Sequence, residues 1–169
     1  MGQARPRRVF GVETEYGLVG RRAGTGSVRG QRLSGGEAAA RLFAPIEREH
    51  ASSNVFLRNG GRLYLDVGSH PEYATAECAS MADLLVHERA GDELLARLAA
   101  RAEVDGAAEG EPVQLRLFKN NVDSHGNSYG CHENYLIDRA LDLPRLSAAL
   151  TPFLVTRQVL CGTGRWRPD

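Results

Sequence analysis

Two carboxylates stand two residues apart in Gly11-Val-Glu-Thr-Glu-Tyr-Gly17. In an extended chain, residues at this spacing point to one face, so Glu13 and Glu15 share it. Their like charges repel unless a cation lies beside them. Hard oxygen donors of this kind suit Mg2+, which keeps phosphate oxygens and water alongside a few carboxylates. The alternative is the solvated face of an edge strand. Arg62-Leu-Tyr-Leu-Asp66 repeats the alternation, with Arg62, Tyr64 and Asp66 on one face and Leu63 and Leu65 on the other. A guanidinium can grip a phosphate through two parallel bonds, and Asp66 could accept a proton from an incoming amine. An ordinary Arg–Asp pair along a strand, worth little if exposed, is the competing reading.

His70-Pro-Glu-Tyr-Ala-Thr-Ala-Glu77 adds two more carboxylates and a hydroxyl after a sharp break. Glu72 and Thr75 cannot share a face in a regular strand, so a bulge or bend must aim both at one site. His70 reads as a turn residue. Between Lys119 and Tyr135, His132 and Asn134 fall on one face of a returning strand. They could meet a metal or a phosphate, or serve only the hairpin, as His125 and Asn127 could. No Gly-x-x-x-x-Gly-Lys-Ser/Thr loop occurs, which excludes a P-loop, and no Gly-x-Ser-x-Gly elbow occurs either.

These groups need strands to carry them. Val9 to Leu18 alternates with period two, as a strand does. Gly20 to Gly30 is rich in Gly and Arg and reads as a mobile loop. Ser34 with Glu37 fits a capping box opening a helix over 35–49, weakened or kinked by Pro45. Val55 to Leu57 is a short strand, and Asn59-Gly60 signals a hairpin turn into Arg62–Val67. Gly68 to Pro71 breaks that strand and Glu72 to Glu77 resumes it. Ser80 caps a long helix to about Glu103, with Met81, Leu84, Leu85, Leu94, Leu95 and Leu98 facing inward. Gly106 to Pro112 is a linker. Val113 to Lys119 is a strand, Asp123 to Asn127 a turn, and Ser128 to Ile137 its returning partner. Thr151-Pro152 opens a last helix that Gly162 can end. Hairpins with helices on one side give an α+β fold with a largely antiparallel sheet.

Composition sets the frame. The 169 residues are 42% apolar and 25% charged, ordinary for a soluble globular chain. Formal net charge is zero, so no global field draws the chain to nucleic acid or membrane. Arg5, Arg7 and Arg8 read as a solvated tail. No apolar run approaches the ~20 residues of a membrane span, and no secretory h-region is visible. Cys78, Cys131 and Cys161 match no zinc or disulfide spacing, so a reducing cytoplasm is the simplest setting.

Longer stretches carry a resemblance. Gly11–Gly17, Ser53–Gly60, Arg62–Glu77, Phe118–Asn121, Ser128–Tyr135 and Pro152–Gln158 strongly resemble the Pup–protein ligase (PafA) family. The likeness runs from about Arg8 to Gly164. It implies an α+β, glutamine-synthetase-like fold: a largely antiparallel sheet with helices packed on one face, incomplete in this chain. It divides the chain into a disordered lead 1–7, the N-terminal part of a catalytic domain 8–164, and a tail 165–169.

The resemblance also implies a reaction. ATP phosphorylates the side-chain carboxylate of the C-terminal glutamate of the small protein Pup. A lysine of a substrate protein then attacks the γ-glutamyl phosphate, and the isopeptide-tagged product goes to a bacterial proteasome. By position in the family's motifs, Glu13, Tyr64 and Glu72 would hold Mg2+, Arg62 and Thr75 would contact ATP, and Asp66 would be the catalytic base. On physical grounds Glu15 and Glu77 are further metal-site or supporting carboxylates. The related Pup deamidase/depupylase carries a long insert before the Arg-Leu-Tyr strand and lacks the fuller Val-Gly-Ser-His-Pro-Glu spelling. Here that stretch is short, and Val67 to Glu72 follows the ligase pattern. The other readings are that hydrolase, or an inactive truncated nucleotide-binding fragment.

Overall fold

The computed structural model describes residues 8–23, 30–120, 122 and 126–160. The lead 1–7, the tail 165–169, most of the expected mobile loop, Asp123, His125 and Gly162 lie outside the described residues. The elements are β1 (Phe10–Glu15), β2 (Gly17–Arg22), β3 (Gln31–Arg32), α1 (Gly35–His50), β4 (Asn54–Phe56), β5 (Arg62–Asp66), β6 (His70–Ala74), α2 (Met81–Ala108), β7 (Val113–Phe118), β8 (Cys131–Tyr135) and α3 (Leu143–Thr156). A 3-10 turn, Arg157–Val159, follows.

The strands form a five-stranded sheet in the order β4-β5-β6-β1-β8 and a three-stranded sheet in the order β3-β2-β7. Every ladder is antiparallel. The alternation over Val9–Leu18 predicts one strand, but the chain crosses between sheets at Tyr16. Its ring is buried, its hydroxyl donates to Asp92 on α2 at 2.8 Å, and its N–H donates to the Pro71 carbonyl at 2.8 Å. These contacts take Tyr16 out of both ladders. Gly20 to Arg22, expected in a loop, belong to β2 instead.

Other expectations shift for the same kind of reason. The partner of β7 is β2 rather than β8, and β8 pairs with β1. The β6 strand begins at His70 and ends at Ala74, so only 67–69 form the break. There Gly68 (φ 86°) and Ser69 (φ 65°) both take left-handed backbone. Helix α2 runs five residues past the expected end and through Gly106. Met81 and Leu85 are exposed rather than inward; Met81 lines an open cavity with Leu84, Phe10, Val12 and Tyr135 instead of packing into the core. Helix α3 starts at Leu143 and holds Pro152 inside it.

The core is built as the apolar pattern requires. In α1, Ser34 accepts the Glu37 N–H at 3.2 Å and Glu37 accepts the Ser34 N–H at 2.9 Å, which completes the capping box. Ala38, Leu42, Phe43, Pro45 and Ile46 are buried from this helix. Opposite them lie Leu63, Tyr73, Leu95 and Leu98. Gly91 lets α2 approach: a Cβ there would sit 2.3 Å from the Tyr73 ring. Thr14 donates to Glu88 at 3.4 Å on the same side. Both long helices therefore cover the Thr14–Tyr73–Leu63 face of the large sheet and leave the opposite face open.

Candidate functional site

The open face is where the polar groups collect, and strand register puts them there. Glu13 pairs with His132 on β8 and Ala74 on β6. Glu15 pairs with Glu72, which pairs with Tyr64 on β5. Arg62 and Asp66 flank Tyr64 at two-residue spacing, opposite Ala74 and His70. Alternation then puts Glu13, Glu15, Arg62, Tyr64, Asp66, His70, Glu72, His132 and Asn134 on one surface, about 4.8 Å from strand to strand. The competing Arg62–Asp66 ion pair does not form. Among the described residues Arg62 has no carboxylate partner; its Nε donates to Asn54 Oδ1 at 2.8 Å and its guanidinium lies 4.3 Å from the Tyr64 ring centre.

At the centre, Glu72 is 2% exposed. Tyr64 donates its hydroxyl to Glu13, and His132 Nδ1 lies 3.2 Å from Glu13 and 3.7 Å from Glu72. One ligand atom each from Glu13, Glu72 and His132 all fall within 4.8 Å of one another. Burial pushes the Glu72 carboxyl up to about 7, and the charges of Glu13, Asp66 and Glu15 push the same way against His132. A buried carboxyl driven up by three neighbouring carboxylates is a site short of positive charge. Two carboxylates and an imidazole at this spacing fit a divalent cation.

Thr75 lies where the sequence required a bulge. Three steps along β1, from Glu13 to Phe10, are matched by four from Ala74 to Cys78, so one residue is extra. The extra residue turns the Thr75 hydroxyl onto the Val12 N–H, which it accepts at 3.1 Å. Thr75 and Glu77 line a cleft of about 330 Å³ with Gly11 and Asn134. Glu77 is thus set apart from the carboxylate centre, toward the other end of the strands.

Sequence reasoning left His132 between site and hairpin, gave Asn54 no role, and read His70 as a turn residue. His132 had a signal in its alternation with Asn134. Asn54 acts on Arg62 across the short β4–β5 hairpin, so the Asn59-Gly60 turn was its signal, whereas His70 had none because its partner Glu15 lies 55 residues away.

Fold and open face together define a class: an α+β protein whose antiparallel sheet, backed by helices on one side, presents a carboxylate-lined surface suited to a hard cation. The chain belongs to the Pup-ligase protein family, whose pattern it matches over residues 8–169. It is 54% identical over 163 residues to the Pup–protein ligase of Corynebacterium aurimucosum, covering 96% of this chain and 33% of that protein. It is 57% identical over 166 residues to that of Rothia mucilaginosa, at 96% and 33% coverage. The chain thus spans about a third of the length of these relatives. A solved complex of Pup with its ligase PafA superposes with a TM-score of 0.84 at 52% identity, over 96% of this chain and 32% of that one. PafA in complex with ADP gives 0.64 at 52% identity, over 87% and 32%.

Proposed function

We propose that this chain is part of an ATP-dependent ligase that joins the C-terminal glutamate side chain of Pup to lysines of other proteins through a γ-glutamyl phosphate, marking them for the bacterial proteasome. The observation that carries this reading is the gathering of Glu13, Glu72 and His132 beside Arg62, Tyr64 and Asp66 on one uncovered sheet face. Relatives named Pup–protein ligase and neighbours solved with Pup or with ADP support nucleotide-dependent ligation of Pup; the γ-glutamyl phosphate is what the family resemblance implies.

The division of labour is the one the family resemblance implies, and the gathering of these residues on one sheet face supports it. Glu13, Tyr64 and Glu72 would hold Mg2+; the Tyr64 hydroxyl meets Glu13, and the His132 imidazole lies beside Glu13 and Glu72 as a further candidate ligand. When bound, the cation neutralises charge on the transferring phosphoryl group. Arg62, steadied by Asn54 and the Tyr64 ring, holds a phosphate oxygen. Thr75 contacts the nucleotide from the bulge. Asp66 takes a proton from the lysine ammonium, whose ordinary pKa near 10.4 makes a base necessary at neutral pH. The freed amine attacks the γ-carbonyl carbon, the isopeptide C–N bond forms, and phosphate leaves.

No helix among the described residues is long and apolar enough to cross a membrane. Cys78 and Cys131 are free thiols, in keeping with a reducing, cytoplasmic setting. The test uses full-length protein carrying this segment, incubated with Pup, Mg-ATP and a lysine-bearing acceptor. Conjugates on gels and isopeptides by mass spectrometry are expected. Hydrolysis of a terminal amide on Pup, or of existing conjugates, with no new conjugate would overturn the ligase reading in favour of the deamidase/depupylase.

A further inference from the structure

Glu15 lies on the carboxylate face, yet both of its oxygens are committed within the protein. One meets His70 Nδ1. The other accepts the Gly130 N–H at 2.5 Å, while the Glu15 N–H donates to the Gly130 carbonyl at 3.0 Å. The His70 ring in turn lies against Tyr129, with centroids 4.9 Å apart. Gly17 leaves room for Tyr129 there: a Cβ at that position would stand 3.2 Å from its ring, a tight contact. Three remote pieces of chain meet at this point, namely the end of β1, the start of β6 and the lead into β8.

His70 is also the register partner of Asp66. The two are joined by the tight turn 67–69, closed by the Ser69 N–H on the Asp66 carbonyl at 3.1 Å. Ser69 holds a positive φ of 65° that favours glycine, a strain that persists only where the surroundings impose it. The imidazole lies under this turn, where a Cβ on Gly68 would contact Nε2 at 3.5 Å. Asp66 itself is exposed, so its carboxylate has little packing of its own to hold it.

We propose that Glu15, His70 and Tyr129 form a positioning unit that fixes the Asp66 turn and the lead into β8 relative to the metal carboxylates, and that Glu15 is not a metal ligand. It rests on the reading of Asp66 as the base. Misplacing a reacting group by about 1 Å can cost on the order of a hundredfold in rate. The unit therefore acts on turnover more than on nucleotide binding.

The test compares paired variants of the full-length protein in steady-state conjugation, with folding checked by circular dichroism. E15A and H70A should lower kcat about ten- to a hundredfold while KM for ATP and the Mg2+ requirement stay within about threefold. E15Q can still accept the Gly130 N–H with its carbonyl and donate to His70 Nδ1 with its amide, so it should recover most of kcat. Asn places its amide nitrogen where His carries Nδ1, and Gln reaches instead to the Nε2 position, so H70N should exceed H70Q by about tenfold. That contrast stands even if the alanine variants fail to fold. Wild-type kcat in folded E15A and H70A, or equal rates for H70N and H70Q, would overturn the proposal. So would an E15Q variant as impaired as E15A with a raised Mg2+ requirement, because Glu15 would then be a ligand. D66N separates the two readings. If it is inactive while H70A is normal, only the positioning unit fails; if it turns over at the wild-type rate, the base assignment fails.

Discussion

Removing the charge of Glu72 while keeping its shape should stabilise the metal-free protein by an amount that grows as pH rises from about 4.5 and levels off above about 7. Burial and three like-charged neighbours move this acid from 4.5 to about 7. The folded state therefore binds more protons than the unfolded state between those values, so stability falls as pH rises through that window. Below pH 4.5 the group is protonated in both states and costs nothing. Above pH 7 it is ionised in both, and the folded state carries the full penalty of about 3 kcal/mol, at roughly 1.4 kcal/mol per tenfold. Glu72→Gln stays neutral throughout. In urea unfolding with EDTA, its advantage over the unaltered protein should grow from about 1 kcal/mol at pH 5 to about 3 kcal/mol at pH 8. Mg2+ at a hundred times its dissociation constant should return about 2.7 kcal/mol to the unaltered protein at pH 8 and much less to the variant. An advantage of equal size at both pH values, or equal stabilisation of both proteins by Mg2+, would refute the reasoning.

Asp66→Asn should abolish conjugation in the full-length protein while ATP binding by calorimetry stays near normal; conjugation at the wild-type rate would remove Asp66 as base. Glu13→Ala takes away one carboxylate and the acceptor of the Tyr64 hydroxyl, so Mg2+-dependent nucleotide binding should weaken at least tenfold, and unchanged binding would take Glu13 out of the metal site. Gly91→Ala drives a methyl into the Tyr73 ring at 2.3 Å and should cost about 1–3 kcal/mol or more in urea unfolding; a neutral effect would mean α2 can shift freely. Ser34→Ala removes the acceptor of the Glu37 N–H and should cost about 1 kcal/mol, read as a lowered midpoint at constant slope.

Much of the machinery was legible because it is local. The Ser34–Glu37 capping box, the Asn59-Gly60 turn into β5 and the bulge demanded by Glu72 and Thr75 all formed as their spacing requires. Helix α2 starts at its Ser80 cap as expected, but it runs past Glu103 through Gly106 and leaves Met81 and Leu85 exposed, since burial and helix length depend on what the helix packs against. Helix α3 was placed too late because Pro152 reads as a helix start, while Pro144 already serves the real one.

The sequence by itself determined which residues alternate, and so that Glu13 and Glu15, or Arg62, Tyr64 and Asp66, must share a face. Backbone geometry at period two allows nothing else. Only the tertiary structure decided which strands lie side by side. The alternation in Val9–Leu18 runs unbroken through Tyr16, yet the burial of that ring sends β1 to one sheet and β2 to the other. That crossing gives β8 to β1 instead of β7, brings His132 to Glu13, and closes Glu15 on His70. Such pairings join residues 55 to 119 positions apart. No local propensity encodes them, because they are settled by which apolar faces can be buried together.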